Sequence, residues 1–187
     1  MWQVRLVWAC LAVAWLIAEW RLHASSRQGA APLEYTTRDR LWVAVTLGFM
    51  LALACKFALL APLPFDYLPR QAVAAVLVAS GLALRYYAIR ILGGFFSTDI
   101  ALHPAHRLIT TGPYRHLCHP AYSGLLLALS GAALALGDAV GGLAWIGLST
   151  AALKHRIELE EQALEQAFGE TYREYCRARW RLLPGVY

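Results

Sequence analysis

Long apolar stretches separated by short polar loops make up most of this chain of 187 residues. A hydrocarbon core about 30 Å thick requires about 20 mostly apolar residues for each helix that crosses it. The pattern predicts about five transmembrane helices, from about Trp2 to Trp20, Leu41 to Ala61, Gln71 to Leu92, Ala121 to Gly137, and Ala139 to about Leu153. The last two are short and meet at Gly137 and Asp138, which indicates a tight helical hairpin.

A cleavable signal sequence is the alternative interpretation of the first apolar segment. The segment lacks a short apolar region followed by a small-residue cleavage site. Trp15 and Trp20 are typical of side chains that anchor a helix at the membrane interface. We therefore expect the segment to be retained as the first helix.

Composition agrees with this pattern, because 59% of the residues are hydrophobic and the mean hydropathy is +0.46. Such values are typical of membrane proteins. We expect an all-α, polytopic membrane protein that forms one membrane domain over residues 1–187. In this prediction residues 1–93 hold three transmembrane helices, and residues 94–187 hold a polar loop, the helical hairpin and a C-terminal amphipathic helix in the cytoplasm.

Positive charge alternates from one loop to the next. Lys and Arg accumulate after the first helix, after the third helix and in the C-terminal tail, whereas only Arg70 lies between the second and third helices. Cytoplasmic loops carry this excess, so the N-terminus is expected outside and the C-terminus in the cytoplasm, in a bacterial or archaeal inner membrane. The net charge of +5 indicates contact with anionic membrane lipids rather than a nucleic-acid partner.

The four cysteines have no spacing typical of a disulfide framework. Cys10 and Cys55 fall in apolar segments, and Cys118 and Cys176 fall in segments expected in the cytoplasm. We therefore expect free thiols.

Polar residues gather first in the stretch TTGPYRHLCHPAYSG, from Thr110 to Gly124. Gly112 and Pro113 predict a turn, and Pro120 suits the first turn of the fourth helix. His119 precedes that helix N-terminus, where free N–H groups favour a carboxylate or phosphate. The alternative is that these residues only begin a membrane helix.

Histidines in this region allow a second interpretation. A zinc site would draw its ligands from His103, His106, His116, Cys118 and His119. Their spacings are not those of standard zinc motifs, and no second cysteine lies nearby. We therefore expect no metal.

The second polar region is KHRIELEEQALEQAFGETYREYCRARW, which predicts an amphipathic helix that continues out of the membrane. Its apolar stripe is Ile157, Leu164 and Phe168, with Glu160 and Glu161 beside it. Glu158 and Glu165 point elsewhere and are expected to be solvated. The alternative is an ordinary surface helix in which Arg156 and Glu160 form an exposed pair of little energetic value.

The motif GPYRHLCHPAYSG, followed by RIELEEQALEQAFGETYREYCRARWRLLPG, resembles the isoprenylcysteine carboxyl methyltransferase family, which is related to the phospholipid N-methyltransferases. The likeness extends upstream through FSTDIALHPAHRLITTG and covers about Leu92 to Tyr187. It implies an S-adenosylmethionine site open to the cytoplasm and a lipid-like or prenylated substrate that enters from the bilayer. No obligate protein partner is implied.

The resemblance also implies roles for individual residues. Arg156 would face the substrate as the catalytic residue. The cofactor would be bound by Asp99, His106, Arg107, Leu108, Ile109, Tyr114, His119, Pro120, Ala121, Tyr122 and Glu160. Relatives usually have arginine where this chain has Cys118, so one cation is absent from the motif.

These residue types suit methyl transfer to a carboxylate. A carboxylate is ionised at neutral pH and needs no general base, and the planar guanidinium of Arg156 suits its two oxygens. An amine acceptor would instead require a base such as His119. The alternatives are therefore a phospholipid N-methyltransferase, a membrane NADPH-dependent reductase, and a non-enzymatic membrane scaffold.

Overall fold

The computed structural model describes residues 2–26, 36–93 and 108–185, without the side chains of residues 23–26 and 36–38. The described helices are α1 (Trp2–Ser26), α2 (Thr36–Phe57), α3 (Tyr67–Leu92), α4 (Pro120–Leu136), α5 (Ala139–Phe168) and α6 (Glu170–Arg177). A short 3-10 turn, Gly112–Arg115, precedes α4. The described ranges contain two isolated β-bridges and no strand, so the prediction of an all-α fold is confirmed.

Three helical stretches are long and apolar enough to cross a membrane: Trp2–Leu22, Asp39–Phe57 and Tyr67–Leu92. Helix α4 is equally apolar in character but has only 17 residues. The structure therefore supports a multi-pass membrane protein. The number of about five spans stays a prediction, since α4 and α5 do not meet the same criteria of length and composition among the described residues.

Glycines allow α3 and α4 to pack with their backbones almost in contact. A Cβ on Gly124 would lie 2.5 Å from the carbonyl oxygen of Gly81 and 2.6 Å from the amide nitrogen of Arg85. Gly131 meets Ala74 and Val78 in the same way farther along the helices. This close contact fixes the start of α4, where the polar loop ends, against the C-terminal half of α3.

The predicted hairpin between the fourth and fifth helices is confirmed. Gly137 has a left-handed conformation with φ of 80°, which a residue without a Cβ adopts readily. The Asp138 carboxylate accepts hydrogen bonds from Gly141 N–H and Ala61 N–H, both at 2.8 Å. Asp138 thus caps α5 and also ties the hairpin to the loop that follows α2.

Helix α5 continues beyond the apolar segment that ends near Leu153, as the sequence predicted. It continues without interruption to Phe168, over 30 residues, and the amphipathic C-terminal segment is its second half. Leu153 and Ile157 are fully buried, so packing continues past the end of the apolar segment. Gly169, with φ of 57°, then separates α5 from α6.

Helix α1 packs against α3 and is otherwise mostly exposed along its length. Polar contacts attach it: Trp8 Nε1 donates to Gln71 at 2.7 Å, and Arg85 Nε donates to Glu19 at 2.8 Å. Ionisable side chains inside a membrane protein are costly unless they are paired in this way. The Glu19–Arg85 pair therefore fixes α1 beside the start of α4.

Candidate functional site

The 3-10 turn Gly112–Arg115 brings the polar loop back against α3. Gly112 has φ of 60°, and a Cβ there would collide with Ile91, so both conformation and space require glycine. Tyr114 is buried, and burial raises the pKa of its phenol. The Tyr175 hydroxyl donates to the Tyr114 carbonyl at 2.8 Å. The turn is thus held between α3 on one side and α6 on the other.

Pro120 occupies the first turn of α4, as predicted, and His119 occupies the cap position before it. The His119 side chain does not cap the helix, because it makes no hydrogen bond to the N-terminal N–H groups. Its ring instead points to α5, where Nε2 lies 3.2 Å from Glu161 Oε1 and Nδ1 lies 4.0 Å from Glu160 Oε1. His119 is 4% exposed and stacks on Tyr122.

Tyr122 lies between the two residues expected to serve cofactor and substrate. Its hydroxyl donates to Glu160 Oε2 at 2.6 Å and accepts from Arg156 Nε at 2.8 Å. Arg156 is 4% exposed, so the interpretation of Arg156 and Glu160 as an exposed surface pair is wrong. Spacing by one helical turn placed these two residues together, but only the fold inserts Tyr122 between them.

Arg156 and Tyr122 also line a partly open cavity of about 920 Å³ between α1, α2, α3, α4 and α5. Most of its lining is apolar, with Trp15, Trp42 and Trp145 among the side chains. A mostly apolar pocket with few convergent polar groups is typical of a small-molecule site. The hydrogen-bonded chain from Glu160 through Tyr122 to Arg156 therefore ends at a cavity that suits an apolar ligand with a polar end.

The remaining predicted cofactor residues are distributed as follows. Leu108 packs against the cluster of Cys118, Tyr172 and Tyr175, and Ile109 packs against Tyr114 and Ala121. Asp99, His106 and Arg107 lie outside the described residues. Glu158 and Glu165 are exposed and pair with Lys154 and Arg173, as expected for solvated side chains.

Two further contacts were not assigned from sequence. Glu161 contacts His119, and Arg181 Nε donates to Glu161 at 2.9 Å. Sequence placed both glutamates beside the buried face, and the resemblance assigned Glu160 to the cofactor but gave Glu161 no role. Nothing in the pattern around Arg181 indicated a partner, because the contact depends on how the C-terminal segment folds back.

The four cysteines are free thiols, as predicted. Cys118 is buried and Cys176 packs against it. Position 118 therefore holds a small buried side chain in the same turn as His119. Among the described residues no group of three or more metal-ligating side chains comes together.

Comparison with known proteins gives a consistent result. The model of the isoprenylcysteine carboxyl methyltransferase family matches residues 73–166, which run from α3 through most of α5. The chain belongs to this family. The match begins earlier than the likeness recognised from sequence, since it includes α3, and it ends before α6.

Similar proteins from plants and from an amoeba support membership of this family. A probable protein-S-isoprenylcysteine O-methyltransferase of Oryza sativa subsp. japonica is 34% identical over 131 residues, which cover 69% of this chain and 69% of the relative. The protein-S-isoprenylcysteine O-methyltransferase of Dictyostelium discoideum is 27% identical over 117 residues, 62% of this chain and 49% of that one.

A solved structure described as the eukaryotic intramembrane Ras methyltransferase of this family has the same fold, with a TM-score of 0.59 and 22% identity. The match covers 77% of this chain and 52% of the solved one. The chain thus spans about half the length of that structure. The chain therefore shares the fold of that structure over the matched part.

Proposed function

We propose that this chain is a membrane methyltransferase that moves the methyl group of S-adenosylmethionine to the carboxylate of a prenylated cysteine or a similar lipid-like acid. Family membership supports methyl transfer over the reductase and scaffold alternatives. The observation that carries the proposal is the hydrogen-bonded chain from Glu160 through Tyr122 to Arg156, which has His119 stacked beside it and ends at the apolar cavity.

Residues of the polar loop and α5 suit the methyl donor. When bound, S-adenosylmethionine supplies an electrophilic methyl carbon, to which the acceptor oxygen bonds as the carbon–sulfur bond breaks and sulfur keeps the electron pair. Glu160, whose side chain is partly exposed, offers a carboxylate to a cationic donor or its ribose hydroxyls. Leu108 and Ile109 offer apolar surface to the adenine, and the proposed site also includes Asp99, His106 and Arg107.

Arg156 suits the acceptor. Its guanidinium is fixed by Tyr122 and faces the cavity, so it can hold the two oxygens of a carboxylate whose apolar tail lies among the tryptophans. The carboxylate needs no base because it is ionised at neutral pH. Positioning and exclusion of water therefore supply most of the rate.

The proposal includes an orientation and a location. The N-terminus lies outside and the C-terminus in the cytoplasm of a bacterial or archaeal inner membrane, crossed by about five helices. Alternation of Lys and Arg supports the orientation. The site lies at the end of the bundle where α3 ends and α4 begins, which is the end assigned to the cytoplasm.

Titration of the detergent-purified protein with S-adenosylhomocysteine tests the cofactor class. We expect saturable binding, weakened about tenfold or more in Glu160→Gln because a charged hydrogen-bond partner is lost. Glu165→Gln, which changes a solvated carboxylate on the same helix, serves as the control and keeps full affinity. Absence of binding by the unmodified protein would contradict the proposal.

Transfer of a radiolabelled methyl group to an N-acetylated S-farnesylcysteine tests the acceptor. An ester releases its label in mild base, whereas an N-methyl group does not. We expect base-labile label that depends on Arg156, with Arg156→Gln reduced by at least tenfold. Base-stable label on phospholipid would instead show that the acceptor is an amine.

A further inference from the structure

The C-terminal segment, residues 178–185, packs directly on the turn that carries His119. Cys118 N–H donates to the Trp180 carbonyl at 2.8 Å and His119 N–H donates to the Arg181 carbonyl at 3.0 Å. The Ser123 hydroxyl donates to the Leu182 carbonyl at 2.5 Å. Leu182 is 4% exposed and belongs to the main core. The backbone of Arg181 is therefore fixed beside His119, although 62 positions separate them in sequence.

From this fixed backbone the Arg181 side chain reaches α5. Its Nε donates to both oxygens of Glu161, at 2.9 and 3.2 Å. The same Glu161 Oε1 lies 3.2 Å from His119 Nε2. Burial raises the pKa of the Glu161 carboxyl, but hydrogen bonds from His119 and Arg181 outweigh burial and hold the pKa below its ordinary value. Glu161 is thus an ionised acceptor shared by two donors.

An ionised carboxylate determines which imidazole nitrogen carries a proton. A carboxylate oxygen only accepts, so Nε2 of His119 must donate to Glu161. The other nitrogen, Nδ1, faces Glu160 at 4.0 Å, beyond hydrogen-bond distance, on the side of the proposed cofactor site. Stacking on Tyr122 fixes the plane of the ring, and Glu161 fixes its rotation.

We propose that Arg181 and Glu161 are positioning residues that hold His119 with a proton on Nε2 and Nδ1 turned toward the cofactor wall. The inference rests on the proposed function, because that function places the cofactor beside His119 and Glu160. Neither residue needs to touch the cofactor. The C-terminal segment is in this way part of the site, and its last described turn completes the wall begun by the loop before α4.

The first test measures His119 in the unliganded protein. With histidine labelled by ¹⁵N, the two ring nitrogens of His119 give distinct shifts, and the resonances are assigned by their loss in His119→Ala. We expect the Nε2–H form in the unmodified protein. Glu161→Gln should give a mixture of forms, since an amide can present either an acceptor or a donor to the ring.

The second test measures affinity for S-adenosylhomocysteine. We expect Arg181→Gln and Glu161→Gln to weaken binding about tenfold, as for one weakened charged hydrogen bond, and Arg181→Lys to stay within about threefold of the unmodified protein. Arg177→Gln is the matched control, because its exposed pair with Glu170 lies on α6 away from His119. Gel filtration and thermal unfolding confirm that each variant is folded.

Unchanged His119 resonances in Glu161→Gln would overturn the positioning role, and so would unchanged affinity in Arg181→Gln. Equal loss of affinity in Arg181→Lys and Arg181→Gln would also overturn it, since a positioning cation is replaceable by another cation. If the unmodified protein binds no S-adenosylhomocysteine, the proposed function fails, while the spectra without ligand still decide whether Glu161 holds His119.

Discussion

Tyr122 is the side chain through which the two halves of the candidate site meet. Its hydroxyl is both a donor to Glu160 and an acceptor from Arg156, so it orients a carboxylate on one side and a guanidinium on the other. Hydrogen bonds to charged groups contribute more to stability than hydrogen bonds between neutral groups. Both partners of the Tyr122 hydroxyl are charged. A single hydroxyl thus couples the proposed cofactor site to the proposed acceptor cavity.

Removal of this hydroxyl should separate the two halves. We expect Tyr122→Phe to reduce kcat/KM for methyl transfer by about tenfold or more, because Arg156 and Glu160 each lose a fixed partner. The ring remains, so stacking on His119 and the fold persist. Radiolabelled methyl transfer measures the change. Tyr67→Phe, at the exposed start of α3, is the control, and equal loss in both variants would contradict the assignment.

Cys176 should be the reactive thiol at the end of the bundle that carries the polar loop. A hydrogen bond from the Cys118 thiol, opposed by burial, lowers the pKa of Cys176 to about 7. Cys118 reacts slowly, because its contact with Cys176 and burial raise its pKa. Since the thiolate is the nucleophile, iodoacetamide modification of Cys176 should rise as pH increases through about 7 and then level off.

Peptide mapping by mass spectrometry measures the rate at each cysteine. In Cys118→Ala the largest cause of the lowered Cys176 pKa is gone, so its modification at pH 7 should slow and the pH midpoint should rise. Modification of Cys118 ahead of Cys176 would show that the thiolate forms on the other sulfur.

At the scale of elements, close packing of α3 and α4 determines where the polar loop before α4 lies. Gly81 and Gly124 let the two backbones approach until Arg85 lies beside the first turn of α4. Arg85 Nη1 then donates to the Ala121 carbonyl at 3.4 Å, while its Nε is held by Glu19 of α1. Helices α1, α3 and α4 are therefore joined at the start of α4, next to His119 and Tyr122.

Gly124→Ala should therefore destabilise the protein, because the added Cβ meets backbone atoms that cannot move independently of their helix. Overpacking of this kind costs about 1–3 kcal/mol or more. Thermal unfolding in detergent measures the loss as a lower Tm. Gly147→Ala is the matched control on α5, since nothing lies within 4 Å of its added Cβ, and it should be neutral or slightly stabilising. Equal melting of the two variants would show that the helices separate freely.

At the scale of the molecule, the connections that the structure describes fall at two ends of the bundle. The connection after α2 and the hairpin at Asp138 meet through Leu63 N–H to the Gly137 carbonyl at 2.9 Å and Ala139 N–H to the Ala61 carbonyl at 2.8 Å. The polar loop before α4 and the segment 178–185 meet at the opposite end. This segregation supports the proposed orientation, in which the basic end faces the cytoplasm.

Reporter fusions in a bacterial host test the orientation. Alkaline phosphatase is active only outside the cytoplasm, so we expect activity when it is fused after Phe65, in the loop between α2 and α3. Green fluorescent protein fused after Tyr187 should fluoresce, because that end is expected in the cytoplasm. Phosphatase activity at Tyr187 with none at Phe65 would reverse the proposed topology.

Sequence by itself determined the features that depend on local chemistry. Apolar length predicted the helices, Gly137 and Asp138 predicted the hairpin, and Pro120 predicted the start of α4, because turn and helix-start preferences are properties of a few adjacent residues. The same reasoning placed Glu160 and Glu161 beside the apolar stripe. The family resemblance, and not the composition, predicted cofactor and substrate roles for the two polar motifs.

Only the tertiary structure decided how distant residues combine. The sequence predicted that the fifth helix continues through Phe168 but left open whether Arg156 lies on an exposed face, and the fold buries Arg156, which is 4% exposed. Tyr122 enters between Arg156 and Glu160, and Arg181 reaches Glu161, through contacts between segments far apart in sequence. Such contacts depend on backbone paths set by the whole bundle, so no local pattern could have specified them.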